Sequence, residues 1–173
     1  MVEDVTEVLI RTATVEDAEK IAAVHLASWR EAYTDVVPQE YLDSLDLDER
    51  TRAWREVFAD LDRATSVWVA EDEGGVVGFA SLGPSRDEDA ERTTMEIYSI
   101  YLEPSAWGRG VARELMRTVL AALPDGSAVT LWVLAANARA AHFYRRNGFT
   151  ADGVERMEEI GGQHFREVRY RRG

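Results

Sequence analysis

The chain has 173 residues, 46% of them hydrophobic, enough for one domain with a sizeable core. Its formal net charge of −12 repels nucleic acid and anionic lipid surfaces at long range, so neither is expected as a partner, and any phosphate ligand has to be held by local groups. Cysteine is absent, which excludes disulfides, thiolate metal sites and a cysteine nucleophile; His25, His142 and His164 lack ligand spacing, so no metal is expected either. The acidic opening MVEDVTEVLI does not have the basic-then-apolar layout of a signal peptide, and no run of about 18 apolar residues occurs, which predicts a soluble, cytoplasmic protein.

VLIRTAT predicts a first strand, and Thr14 with Asp17 three residues on is a helix-start signal. The helix that follows carries Ile21, Val24, His25 and Trp29 at helical spacing. Pro38 opens a second helical piece, PQEYLDSL, and residues 46–58 supply a third, with Trp54 and Phe58 one turn apart. SVWVAED and VVGFASL, parted by Glu73, Gly74 and Gly75, read as a hairpin. The charged SRDEDAERT reads as a solvated loop tip. Then come a strand at about 93–103, a helix at about 108–123, a strand at about 127–134, a helix at about 137–147 and two closing strands. The fold class is therefore mixed α/β, with an antiparallel start and at least one parallel crossover, and 1–173 is expected to form one domain.

EIYSIYLEPSAWGRGVARELM, residues 96–116, feeds a strand through two glycines into a helix. A helix N-terminus offers unpaired N–H groups and the positive end of its dipole, and glycines let a phosphate approach the backbone. A phosphate-binding P-loop needs a lysine after its glycines, and GRGVAREL has none. A dinucleotide fingerprint needs a third glycine or alanine where Arg113 stands, and an acidic residue near Thr130, where none occurs. Alone, the glycine pair also suits a tight turn into a helix.

A second stretch, AANARAAHFYRRNGF, has Asn137 placed to cap a helix, Phe143 and Tyr144 in its later turns, and Asn147 with Gly148 to close it before Phe149. Together the two stretches resemble the GCN5-related N-acetyltransferase superfamily, whose pattern is a strand, a Q/R-x-x-G-x-G/A loop on a helix, another strand, and N-x-x-A-x-x-F-Y-x-x-x-G-F. Gly110 and Ala112 match the first motif, and Asn137, Ala140, Phe143, Tyr144, Gly148 and Phe149 the second. Trp107 departs from it, standing where the family has Gln or Arg.

The resemblance implies a largely antiparallel central sheet flanked by helices, with acetyl-CoA as co-substrate. The implied cofactor-binding set is Ile100, Tyr101 and Leu102 on the strand, Trp107, Gly108, Arg109, Gly110, Val111, Ala112 and Arg113 at the loop, and Asn137 on the next helix. A bulge in the strand before the glycine loop splays it from its neighbour in this family, which lets N–H groups near Ile100 and Leu102 serve the pantetheine and the thioester oxygen.

Tyr144 is the expected general acid: a phenol of reference pKa about 10 stays protonated at neutral pH and can return a proton to a thiolate whose acid has pKa about 8.5. Glu96 is the expected base, since strand alternation places it on one face with Tyr98, Ile100 and Leu102, and its position matches the glutamate of the histone-type branch. An alkylammonium of pKa about 10.4 carries a handicap of about 4.6 kcal/mol at pH 7 unless something assists its deprotonation. Trp29 and Tyr33, one turn apart, are expected to line the acceptor cleft.

Acidic residues cluster in YLDSLDLDER and SRDEDAER, segments that in this fold class flank the acceptor side. The expected acceptor is therefore a cationic primary amine of a small molecule or peptide; a homodimer is compatible with this. The competing function is a CoA-binding module that senses without turnover, against which Tyr144 and Glu96 argue, because a sensor needs neither.

Overall fold

The computed structural model describes residues 7–173, so expectations about the first six residues lie outside it. Its strands are β1 (Leu9–Thr12), β2 (Ser66–Asp72), β3 (Gly75–Pro84), β4 (Met95–Leu102), β5 (Val129–Leu134), β6 (Thr150–Ile160) and β7 (Gln163–Arg172). They form one sheet in the order β1-β2-β3-β4-β5-β7-β6, antiparallel at every junction except β4 with β5. The helices are α1 (Ala18–Tyr33), α2 (Gln39–Asp43), α3 (Leu47–Ala59), α4 (Val111–Ala121) and α5 (Ala138–Arg146). No helix of the described residues is long and apolar enough to cross a membrane.

Period-two alternation in β2 sends Val67 and Val69 to one face of the sheet and Trp68 and Ala70 to the other. On the first face they meet Ile21 and Val24 of α1 and Phe58 of α3. On the second, α4 presents Val111, Leu115, Met116 and Val119, an apolar stripe at helical spacing, to Ala80, Leu82, Ile97 and Leu131. Each buried Val, Leu, Ile or Met among them contributes about 1.5–3 kcal/mol relative to exposure. A smaller cluster joins Tyr33, Val37 and Leu42 at the α1–α2 end to Leu134 and Ile160.

The helix start at Thr14 forms as expected, the Thr14 N–H donating to the Asp17 carboxylate at 2.8 Å. Asp17 also takes Arg11 of β1 at 2.8 Å, and that bond holds its carboxyl below the usual range. The expected helix at 108–123 instead begins at Val111: Gly108 and Gly110 sit at φ 75° and 80°, left-handed conformations that no right-handed helix includes.

Two features of β4 depart from simple alternation and position the site. Ile97 pairs with Leu82 and Ser99 with Ser81, so Tyr98 is an extra, bulged residue. β4 pairs with β5 only at Met95 with Val129 and Glu96 with Thr130, after which the two strands part.

The acidic loop after β3 is solvated at Glu88, Asp89 and Glu91, as expected, but it is also tied down. Arg169 of β7, its side chain 8% exposed, binds Asp87 at 3.2 Å, Asp89 at 2.6 Å and Asp152 at 2.7 Å, and Trp132 Nε1 donates to Asp87 at 3.0 Å. The buried guanidinium requires carboxylates to satisfy it, which anchors the loop to the far strands.

Candidate active site

Where β4 and β5 part, the sheet opens into a cleft of about 1090 Å³ that continues past the α1–α2 end. One end is bounded by the glycine turn. The ladder of α4 starts with Glu114 N–H donating to Gly110 O at 3.2 Å, and no backbone carbonyl takes the N–H groups of residues 108–113. A Cβ built on Gly108 or Gly110 meets no heavy atom within 4 Å, so the approach to these donors is open. The free N–H groups of the glycine turn and of the first turn of an 11-residue helix form a cradle suited to an anion.

Of the residues expected around the cofactor, Ile100, Leu102, Trp107, Gly108, Gly110 and Val111 line this opening. So do Tyr101, Ala112, Arg113 and Asn137. Arg109 does not: its side chain turns back toward Asp72 and the Ser105 carbonyl, each at 3.5 Å, which leaves only its backbone on the cradle. The departing position, Trp107, donates its indole N–H to Leu102 O at 3.2 Å, so no polar group of it is left for a ligand. Arg139, from the first turn of α5, lies with its guanidinium 4.0 Å from the centre of the Trp107 ring and also lines the cleft. The sequence pattern gave no sign of this pair, because 32 positions separate its members.

Asn137 caps α5 as expected, its Oδ1 accepting from Ala140 N–H at 3.1 Å. Its amide donates to the Tyr33 hydroxyl at 3.0 Å, tying the end of α1 to the start of α5. Trp29 and Tyr33 both line the cleft with ring centroids 4.5 Å apart, and Trp29 Nε1 donates to the Tyr101 hydroxyl at 3.2 Å. Tyr144 packs its ring against Phe149 and Tyr170, with centroids 6.0 and 6.5 Å away, and reaches the cleft. Its hydroxyl has no hydrogen-bond partner among the described residues. Burial, followed by the neighbouring Tyr101 and Tyr33, pushes its ionisation well above the ordinary phenol range.

Glu96 lies elsewhere. The bulge at Tyr98 shifts the alternation by one, so Glu96 shares a face with Ser99 and Tyr101, not with Ile100 and Leu102. Both its oxygens are taken by Arg86, one by the backbone N–H at 3.0 Å and one by the guanidinium at 2.7 Å, and it is 2% exposed and not part of the cleft wall. Arg86 in turn stacks on Tyr98, 4.2 Å from the ring centre. Tyr98 lies where a Cβ on Gly83 would sit 2.7 Å from a ring carbon, so only glycine fits beneath it.

The acid clusters expected to flank the acceptor are absent from the wall too: of residues 41–50 only Tyr41 and Arg50 line it, and Asp87 and Asp89 are committed to Arg169. The cleft carboxylates come instead from β6 and β7, as Glu158, Glu159 and Glu167. Glu167 accepts from Arg156 at 2.9 Å with its side chain 14% exposed, and it faces Leu134 across the sheet.

The sheet thus opens between two parallel strands, with free N–H groups at one end and a buried phenol in the gap. The chain belongs to the acetyltransferase (GNAT) family, whose model matches residues 24–149. It is 36% identical over 165 residues to the uncharacterized N-acetyltransferase YuaI of Bacillus subtilis, covering 93% of this chain and 90% of that one. It is 29% identical over 154 residues to the L-amino acid N-acyltransferase MnaT of Escherichia coli, covering 88% and 84%. The structure of yncA from Salmonella typhimurium with its cofactor acetyl-CoA superposes with a TM-score of 0.68 at 25% identity, covering 95% and 92%. The protein is an acyltransferase enzyme with acetyl-CoA as its co-substrate.

Proposed function

We propose that the enzyme moves an acetyl group from acetyl-CoA to the primary amine of a small molecule by direct attack. The observation that carries this is the cradle of unspent N–H groups opening into the cleft that holds the Tyr144 hydroxyl. Residues 108–113 hold the pyrophosphate through their backbone, and the edge of β4 from Ile100 to Leu102, left unpaired by β5, takes the pantetheine and polarises the thioester oxygen. Tyr144 gives its proton to the departing thiolate sulfur as the C–N bond forms and the C–S bond breaks, and is reprotonated from solvent. Glu167, not Glu96, is the carboxylate placed to draw in the ammonium and take its proton through water. The amino-acid acceptor in the name of the Escherichia coli relative supports a small molecule over a protein.

An amine panel assayed for free thiol tests this, and two variants locate the base. Glu167→Gln is expected to lower kcat/KM for alkylamines at pH 7 by about 10²-fold, the lower end for a positioned proton acceptor. Glu96→Gln is expected to lower Tm through the Arg86 pair and to leave the pH–rate profile in place. The opposite pattern would return the base role to Glu96.

Arg139 carries a second expectation. Stacked on Trp107, it supplies at the cradle the cation that the family's Gln/Arg position lacks here. Arg139→Ala should raise KM for acetyl-CoA about 10- to 100-fold with kcat unchanged, the size of one charge-assisted hydrogen bond. An unchanged KM would leave the stack a surface contact only.

A further inference from the structure

Three polar groups on the α1–α3 side of the cleft are unspent. His25 Nδ1 is buried with no hydrogen bond. Ser28, one turn on, is 6% exposed and lines the cleft with no partner for its hydroxyl among the described residues. Arg50, half-buried in the first turn of α3, has no carboxylate partner among the described residues, whereas Arg156 on the facing wall is bonded to Glu167. Acidic residues outnumber basic ones 32 to 20, so a half-buried guanidinium left unpaired is not explained by a shortage of carboxylates.

The geometry makes these groups hydrogen-bond donors. His25 stacks on Tyr101 with centroids 4.9 Å apart and planes at 15°, and Tyr101 is itself held by the Trp29 indole, so the imidazole is fixed in place. Burial, and then the charge of Arg50, push His25 down to about 4, so it is neutral and carries a single proton. With Nδ1 buried and lacking any acceptor, a proton there would be stranded; it sits on Nε2, the nitrogen left to the cleft. This wall thus offers an imidazole N–H, a guanidinium and a hydroxyl, and the facing wall offers the carboxylates of Glu158, Glu159 and Glu167.

We propose that Arg50 and His25 form a subsite for a carboxylate of the acceptor, so that the acceptor is a zwitterionic amino acid and not a purely cationic amine. This rests on the amine acetyltransferase reading. The anion is drawn to the α1–α3 wall while the ammonium turns to the Glu167 wall, which orients the amine along the cleft. Arg50 and His25 are positioning residues, since they touch the acceptor away from the reacting nitrogen.

The test compares the twenty α-amino acids with their amides in steady-state acetylation, on wild type and on Arg50→Gln, Arg50→Lys and His25→Gln. Wild type should prefer the acid to its amide. Arg50→Gln should raise KM for the acid about 10- to 100-fold, the size of a lost charge-assisted pair, with kcat, KM for the amide and KM for acetyl-CoA unchanged, and Arg50→Lys should recover part of the loss. Calorimetric titration of the CoA-loaded protein with N-acetyl amino acids and their amides reads the same subsite without turnover. Tighter binding of the acids by wild type, lost in Arg50→Gln, upholds the subsite even if no amine is acetylated, in which case the catalytic reading alone fails. Equal affinity for acids and amides in wild type, or equal losses for both in Arg50→Gln, overturns it.

Discussion

Gly110→Asp is expected to abolish acetyl-CoA binding while the protein stays folded. Gly110 has φ 80° and caps α4, and a Cβ there meets no protein atom within 4 Å, so a side chain clashes with nothing in the free enzyme. Left-handed backbone costs a non-glycine residue about 1–2 kcal/mol, and aspartate is among the residues that tolerate it. The damage falls on the ligand: a carboxylate stands among the N–H groups of residues 108–113 and opposes the pyrophosphate by both charge and volume. Gly110→Ala separates the two effects, since it brings the strain without the charge and should retain measurable affinity. In a thermal-shift titration a ligand at a hundred times its Kd stabilises wild type by about 2.7 kcal/mol, and Gly110→Asp should show no shift at the same concentration. An unaltered Kd with a native circular dichroism spectrum would remove the glycine turn from the site.

Tyr144→Phe is expected to lower kcat by about 10²- to 10⁴-fold, the usual contribution of a positioned general acid, with KM for acetyl-CoA little changed. The hydroxyl has no partner among the described residues, so deleting it orphans no buried group, and Tm should stay near that of wild type. Because burial raises the ionisation of Tyr144 above the ordinary phenol range, its proton is in place throughout the neutral range. In wild type, kcat should therefore show no loss from deprotonation of this group below about pH 10. A wild-type kcat in the phenylalanine variant would assign the proton to water.

Tyr144 and Gly110 were singled out by their match to the family's two motifs, and local spacing sets the elements that carry them. Helical and strand periodicity, a left-handed glycine before α4, and an asparagine cap on α5 are each decided within a few residues, so the elements, their order and both motifs stand in the sequence. Glu96 shows where local rules stop. Alternation predicted its face correctly for a regular strand, but the bulge at Tyr98 inserts one residue and reverses it, and bulges are fixed by pairing with β3 and not by β4 alone.

The charge of the acceptor side was likewise beyond the sequence by itself. Composition counted 32 acidic residues, and runs of them suggested an acidic cleft. Pairing decided otherwise: Arg169 claims the carboxylates at 87, 89 and 152, Arg86 claims Glu96, Arg156 binds Glu167, and Arg50 is left on the wall without a carboxylate among the described residues. What the sequence determined was everything held by neighbours along the chain: the α/β class, the glycine cradle, the capped helix and its tyrosine. What only the tertiary structure decided was which charges remain unspent in the cleft, because an ion pair depends on separations in space that span from 10 to more than 80 positions here, and no local pattern encodes them.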